Sequence, residues 1–509
     1  MRSKKAMYNI ITSLILQFVI LISGFIVPKL IIGKFGSNVN GLLSSITQFL
    51  AYISLLESGI GPVVRSSLYK PIAKKDDKTI KNILRASEKF FRVIALIFAV
   101  YLLCLSIVYP FIVKEEFGYF YTFSLVLIIS VSTFFEYYFG MTYGLYLQAE
   151  QKTYVTSVIQ IITYILNIVF IIVLVKFGAS IQIVKLFSGF TFILRPLIQN
   201  IYIKKKYNIN LKDADENYKL EKKWDGLAQH IAAVVHNNTD ITILTIFSKL
   251  SEVSVYSVYS MVTRGVKSII SAFSGGIDAS FGDMIAKNEN ETLNKSFSTY
   301  ELFYFTIITI FYSCTMLLIV PFVSVYMKGI TDANYIRPLF GYLLVISEFI
   351  WAVRVPYSSI TLAAGHFKET RKGAWVEAIT NIIISIILVI KFGIVGVAIG
   401  TLVAMIIRTL EFIYHTNKYV LRRSLIINIK KIIFMIIETI IIVLIVKFLP
   451  FNFDFNSYIN WIIYAVIVFM ISCVVTIAIN LIVYKEDRKN LKRIFNNNFN
   501  KLFKRRKKK

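Results

Sequence analysis

Residues 154–178 read YVTSVIQIITYILNIVFIIVLVKFG, a mostly apolar run closed by Lys176-Phe177-Gly178. Residues 373–393 read GAWVEAITNIIISIILVIKFG and close on Lys391-Phe392-Gly393, 215 positions further on. Each run is long enough to cross a hydrocarbon core of ~30 Å as a helix rising ~1.5 Å per residue. Leu and Ile follow one another without the two-residue alternation of a membrane-barrel strand, so helix is expected. Two spanning segments that stop on one tripeptide predict a chain assembled from repeated sets of membrane helices.

Along the rest of the chain, fourteen such segments can be marked, at about 8–32, 38–64, 90–113, 119–147, 154–175, 180–203, 227–248, 253–285, 298–327, 335–363, 373–391, 394–417, 426–449 and 458–484. The 509 residues are 56% hydrophobic and 17% charged, with mean hydropathy +0.66. A soluble chain of this size carries about 25% charged residues. No stretch between spans exceeds about thirty residues, too short to bury a core of its own. The fold class is therefore an all-α polytopic membrane protein. Cys104, Cys314 and Cys473 each lie inside an apolar run, which argues against a disulfide framework. The first run lacks a small-residue cleavage site and reads as a retained helix.

Lys and Arg number 57 against 29 Asp and Glu, a formal charge of +28. In a soluble protein that excess would point to nucleic acid. Here it follows the membrane: the alternate loops at the N-terminus, 65–89, 148–153, 204–225, 286–297, 366–372, 418–431 and 485–509 hold 41 basic residues. The opposite loops hold 7, namely Lys34, Lys114, Lys176, Lys249, Lys328, Lys391 and Lys447. The positive-inside rule then predicts a cell-membrane protein with both termini cytoplasmic and no nucleic-acid partner. The tail Lys501 to Lys509 reads as a topology signal and a solvated run, with binding to anionic bilayer lipids as the lesser alternative.

Two further matches extend the repeat. Ile72-Ala73-Lys74-Lys75-Asp76-Asp77-Lys78-Thr79-Ile80 parallels Ile285-Ala286-Lys287-Asn288-Glu289-Asn290-Glu291-Thr292-Leu293 at an offset of 213. Leu147-Gln148-Ala149 parallels Leu362-Ala363-Ala364 at 215. Ordered matches at nearly one offset predict two six-span lobes, 1–212 and 213–421, followed by an extra pair over 422–484 and the tail 485–509. Six is even, so the lobes share one orientation and are expected to relate by a pseudo-two-fold axis along the membrane normal. That arrangement suits alternating access around a central cavity.

With this layout established, the chain resembles the polysaccharide-transporter branch of the multidrug/oligosaccharidyl-lipid/polysaccharide (MOP) exporter superfamily, including the Wzx-type O-antigen flippases, over residues 5–484. The residues that carry the resemblance are Pro28-Lys29 through Lys34-Phe35-Gly36 to Asn40-Gly41, then Glu57-Ser58-Gly59-Ile60-Gly61-Pro62, then Leu147-Gln148-Ala149-Glu150. The resemblance implies a MATE-like fold. It also implies a flippase that moves an undecaprenyl-diphosphate-linked oligosaccharide from the inner to the outer leaflet, acting as a monomer beside other polysaccharide-assembly membrane proteins. Basic residues on the first span face the cavity in such flippases, which makes Lys29 a candidate; snorkelling to the headgroups is its plainer role.

Ionisable side chains at membrane depth are costly unless paired or wetted, so each is a candidate site. Arg264 and Lys267 lie three apart on one helical face and could hold a diphosphate through charge-assisted bonds. The competing reading is an ion pair with an acid on a neighbouring helix. Arg354 is a third candidate, again against a helix–helix pair; six positions from Glu348, it is out of phase with that acid. Arg65, at the inner end of its span, suits either substrate capture or the interface. For ion coupling the candidates are Glu57, His236, Asp240 and Glu348, with His236 and Asp240 close enough in sequence to touch.

Four histidines, no HExxH, no Walker loop and no paired acids leave no nucleophile or nucleotide site, so no enzyme activity, cofactor or metal is expected. Two other readings stand beside the flippase. A cation-coupled multidrug exporter of the same fold would want acids rather than bases in its cavity. A membrane glycan-processing enzyme would want a large outer loop, and the loops here are short.

Overall fold

A computed structural model describes residues 2–57, 60–207, 214, 215, 218, 227–274, 277–448 and 453–484; the side chains of 2–4, 6, 57, 227–233, 235–237 and 277–279 lie outside that description. The described residues are helical throughout: α1 Arg2–Phe35, α2 Ser37–Ala51, α3 Ser54–Glu57, α4 Ile60–Lys74, α5 Asp77–Ile112, α6 Tyr119–Phe135, α7 Met141–Ala149, α8 Thr153–Lys176 and α9 Ile181–Tyr207. They continue as α10 Leu227–Phe247, α11 Leu250–Ser274, α12 Ile277–Ala286, α13 Asn290–Tyr326, α14 Pro338–Ala363, α15 Arg371–Phe392, α16 Ile394–His415, α17 Ile426–Lys447 and α18 Tyr458–Val483. A π-turn over Glu136–Gly140 joins α6 to α7.

Eleven segments among the described residues are long and apolar enough to cross a membrane. The expected fourteen spans include three more helices, α10, α11 and α17, of 21, 25 and 22 residues. They have the length, but their polar and charged side chains keep them below that measure. The predicted span 38–64 is not one helix: the chain turns at Tyr52-Ile53 and α4 runs on to Lys74. The basic loop 65–89 is likewise mostly helical, because α4 and α5 extend past the apolar run. Large side chains such as Leu14, Phe18, Val100, Phe111, Ile390 and Ile462 stand exposed along the helices. Apolar stripes of that extent on spanning helices face lipid, and the protein is membrane-embedded.

Two of the matched segments end in the same kind of turn. Lys75 and Asn288, 213 apart, both have φ of 56°, although neither is glycine. Each closes its helix with the same hydrogen bond, Asp76 N–H to Pro71 O at 3.0 Å and Glu289 N–H to Met284 O at 3.0 Å. That six-to-one bond is the Schellman termination of a helix. It recurs as Lys152 N–H to Leu147 O and His366 N–H to Thr361 O, at 2.8 and 3.2 Å. Gly178 and Gly393 of the Lys-Phe-Gly pair also share positive φ, 74° and 54°.

Two compact units form. The first holds residues 1–257 with 330–333, the second 258–329 with 334–509. In the first, interhelical hydrogen bonds tie α2 to its neighbours: Tyr109 donates to Ser45 Oγ at 2.7 Å, Ser45 pairs with Thr245 at 2.7 Å, and Asn40 donates to Ser254 at 2.8 Å. Asp332 caps α2 from the distant strap 330–333, accepting from the Ser37 N–H at 2.6 Å and its hydroxyl at 2.7 Å. In the second, α14 packs on α16 and α15 on α16, while α17 and α18 lie against α13. Cys314 of α13, Val446 of α17 and Val468 of α18 share one buried cluster.

Candidate functional site

The cationic candidates fall in different surroundings. On α11, Arg264 is exposed and forms no ion pair among the described residues. Lys267, one turn on, has its Nζ 3.0 Å from Glu348 Oε2 of α14 and 4.1 Å from the centre of the Trp351 ring. The sequence spacing explains this clamp, since Glu348 and Trp351 lie three apart and share a face of α14. Lys267 and Glu348, expected to act separately on substrate and ion, are thus brought together.

Arg354 is drawn into a charge chain across three helices. Its Nη1 lies 2.7 Å from Glu377 Oε1 of α15, and Glu377 Oε2 lies 3.5 Å from Arg408 Nε of α16. Arg408 also reaches Glu411 at 2.5 Å and donates to the Thr370 carbonyl at 2.8 Å. Two bases and two acids balance, and Arg354, Glu377 and Arg408 are nearly buried. Glu348 and Arg354 do not pair with each other, in keeping with their helical phase.

In the first unit, Arg65 Nη1 donates to Gln148 Oε1 at 2.6 Å, joining α4 to α7. Lys29 is half-buried on α1. Asp240 is 7% exposed on α10 and accepts from the Tyr256 hydroxyl at 2.8 Å. The side chains of Glu57 and His236 lie outside the described residues, and with them the expected His236–Asp240 contact.

A second buried cluster is built from charges that were not among the candidates. Glu301 of α13 is fully buried and meets Lys431 Nζ of α17 at 2.8 Å and Arg423 Nη2 at 3.1 Å. Asn428 donates to it at 2.6 Å, and the Tyr357 hydroxyl of α14 donates as well. The same test that found Arg264, an ionisable residue inside an apolar run, would have found Glu301, Glu377 and Arg408.

Beside these charges the second unit holds an apolar groove of about 520 Å³. Met316 of α13, Phe349 and Val353 of α14, Ile406 and Leu410 of α16 and Ile436 of α17 form its walls. Of its polar side chains, Ser313 donates to Thr439 at 3.2 Å and Thr409 to the Ile350 carbonyl at 3.2 Å, while the buried Tyr312 hydroxyl has no hydrogen-bond partner among the described residues. Such a lining suits an aliphatic chain and offers no charged side chain to a head group.

No known family profile matches the chain, and no curated protein matches it. Solved structures do. Lipid II flippase MurJ in an inward closed conformation superposes with a TM-score of 0.66 at 15% identity, over 91% of this chain and 97% of that one. An inward-facing multidrug resistance MATE family transporter of the MOP superfamily gives 0.55 at 15% identity, over 81% and 95%. A mutant of the Vibrio cholerae MATE transporter VcmN gives 0.55 at 15% identity, over 83% and 99%. This chain shares its fold with the lipid II flippase MurJ over nine tenths of its length and with the MATE transporters over about four fifths.

Proposed function

We propose that the protein is a transporter that flips an isoprenoid-diphosphate-linked oligosaccharide, of the undecaprenyl type, from the inner to the outer leaflet by alternating access. The observation that carries this reading is Arg264, a cation on a membrane helix that no acid neutralises among the described residues. A bare charge there costs several kcal/mol unless water or an anion compensates it. A diphosphate would lose tens of kcal/mol in Born terms crossing an apolar core alone, so a cationic route is what such a cargo needs. The groove supports the same cargo, since it can take part of an isoprenoid tail while the rest stays in lipid.

In this scheme Arg264 binds the head group first. Lys267 then exchanges Glu348 for phosphate, which leaves the carboxylate free to take a cation or proton. Arg354, Lys29 and Arg65 have weaker claims: Arg354 is already neutralised, and Arg65 is bonded to Gln148. Inside-negative potential favours outward movement of a dianion by ~2.3 kcal/mol per charge per 100 mV. Coupling through Glu348, Asp240, Glu57 or His236 would add to that drive. Deleting the gene and measuring lipid-linked sugar on the inner leaflet tests the proposal. Accumulation, reversed by the wild-type gene, is the expected result; normal export rejects it.

A multidrug exporter of the same fold is the second reading, favoured by Asp240, a buried acid on a membrane helix bonded to Tyr256. It predicts hypersensitivity of the deletion strain to cationic drugs with no change in lipid-linked sugar.

A further inference from the structure

Helix α17 buries an acid that none of these pairings uses. Glu438 is 1% exposed, and its Oε2 has no hydrogen-bond partner among the described residues. It lines a chamber of about 10 Å³ together with Leu302 and Phe305 of α13, Lys431 of its own helix, Asn480 of α18 and Tyr484 just beyond α18. A volume near ~10 Å³ admits about one water. An ionised carboxylate so placed is costly, and a polar atom buried without a partner calls for a ligand.

The chamber is poor in oxygen donors for a metal cation. Asn480 already donates its amide N–H to Thr306 at 3.1 Å, which leaves one amide oxygen, and the Lys431 ammonium would repel a second cation. A proton needs neither several ligands nor distance from an ammonium. Helix α18 carries no Asp, Glu, Lys, Arg or His from Tyr458 to Val483. Among the described residues, the charged or titratable groups that face Glu438 are thus Lys431 and Tyr484 in the chamber, with Glu301 of α13 one salt bridge further, through Lys431.

We propose that Glu438 is a reversible proton-binding site, and that its proton sets the charge of the anchor joining α13 to α17. An O–H bond forms on Oε2, with the proton supplied and taken back by water at the Tyr484 end. Glu301 faces two bases, Arg423 and Lys431, so that cluster alone is net positive by one. Ionised Glu438 balances it; protonated Glu438 leaves the excess. This site does not depend on what cargo the protein carries.

The test uses the full-length protein in lipid vesicles and an apolar carbodiimide, which adds across the O–H of a protonated acid and leaves carboxylates unmodified. Peptide mass analysis reads the label at Glu438 directly. Labelling should be rapid at about pH 6 and fall by roughly tenfold or more by about pH 10, since each unit above the midpoint removes about nine-tenths of the acid form. Glu301, held by two cations, should resist the reagent throughout. In pH-difference infrared spectra the carboxylic C=O band should vanish in Glu438→Gln; should that variant not fold, the wild-type labelling decides alone. Absence of label at every pH, label of equal rate across the range, or suppression by sodium at constant pH would each overturn the proposal.

Discussion

Arg264 and Lys267 stand one helical turn apart, yet only the second has a counter-ion among the described residues, Glu348 at 3.0 Å. That difference predicts unequal roles. Arg264→Ala should abolish complementation of a flippase-null strain while the protein still folds and inserts. Arg264→Lys should keep part of the activity, because a hydrated phosphate asks more for charge than for the guanidinium fork. Normal export by the Ala variant would reject Arg264 as the head-group contact. A smaller residue-scale effect sits at Asp76, which caps α5 by accepting from the Thr79 hydroxyl and N–H at 2.6 and 3.0 Å. Those bonds hold its carboxyl below the usual range. The cap is therefore fully present above the unfolded acid's ~4 and lost as pH falls through the lower folded value. Hydrogen-exchange protection at the first turn of α5, with the intrinsic pH dependence of exchange divided out, should fall at acid pH, and Asp76→Ala should lower it at neutral pH.

Among the elements, α17 depends on charge and the α15–α16 turn on glycine. Glu301 is the only acid facing Arg423 and Lys431 among the described ion pairs. Glu301→Gln strands two buried cations, a loss on the order of 3–5 kcal/mol, whereas removing acid and lysine together should cost less. Thermal unfolding of the single variant and of Glu301→Gln/Lys431→Met would show that recovery; equal losses would disprove the coupling. Because α17 forms a wall of the groove, the single variant should also disturb export. At the turn, Gly393 has φ of 54° and ψ of −132°, and a Cβ there would meet nothing within 4 Å, so Gly393→Ala meets backbone strain alone, on the order of 1–3 kcal/mol. Gly396 differs, because a Cβ there would lie 2.3 Å from the Leu388 carbonyl oxygen. Gly396→Ala must push two helices apart and should lower Tm more than Gly393→Ala.

For the whole molecule, the charge asymmetry predicts which turns face the cytoplasm. In a cysteine-free background, single cysteines at Lys75 and Asn288 should react with membrane-impermeant thiol reagents only after the inner side is exposed. Cysteines at Lys176 and Lys391 should react from outside in intact cells; the reverse pattern would invert the proposed topology. The class of fold was legible in the residues alone, because a twenty-residue apolar run leaves its backbone no partner except itself, and helix follows. The short matches Lys176-Phe177-Gly178 and Lys391-Phe392-Gly393 were legible too, and both glycines close their helices at positive φ, 74° and 54°. How the charges are spent came from packing. Lys267 and Glu348 are 81 positions apart, Arg354 and Glu377 are 23 apart, and Glu301 meets Lys431 across 130. Helical phase says which face a side chain is on, not which helix comes to cover it, so pairing and the groove waited on the packing of α11, α13, α14 and α17.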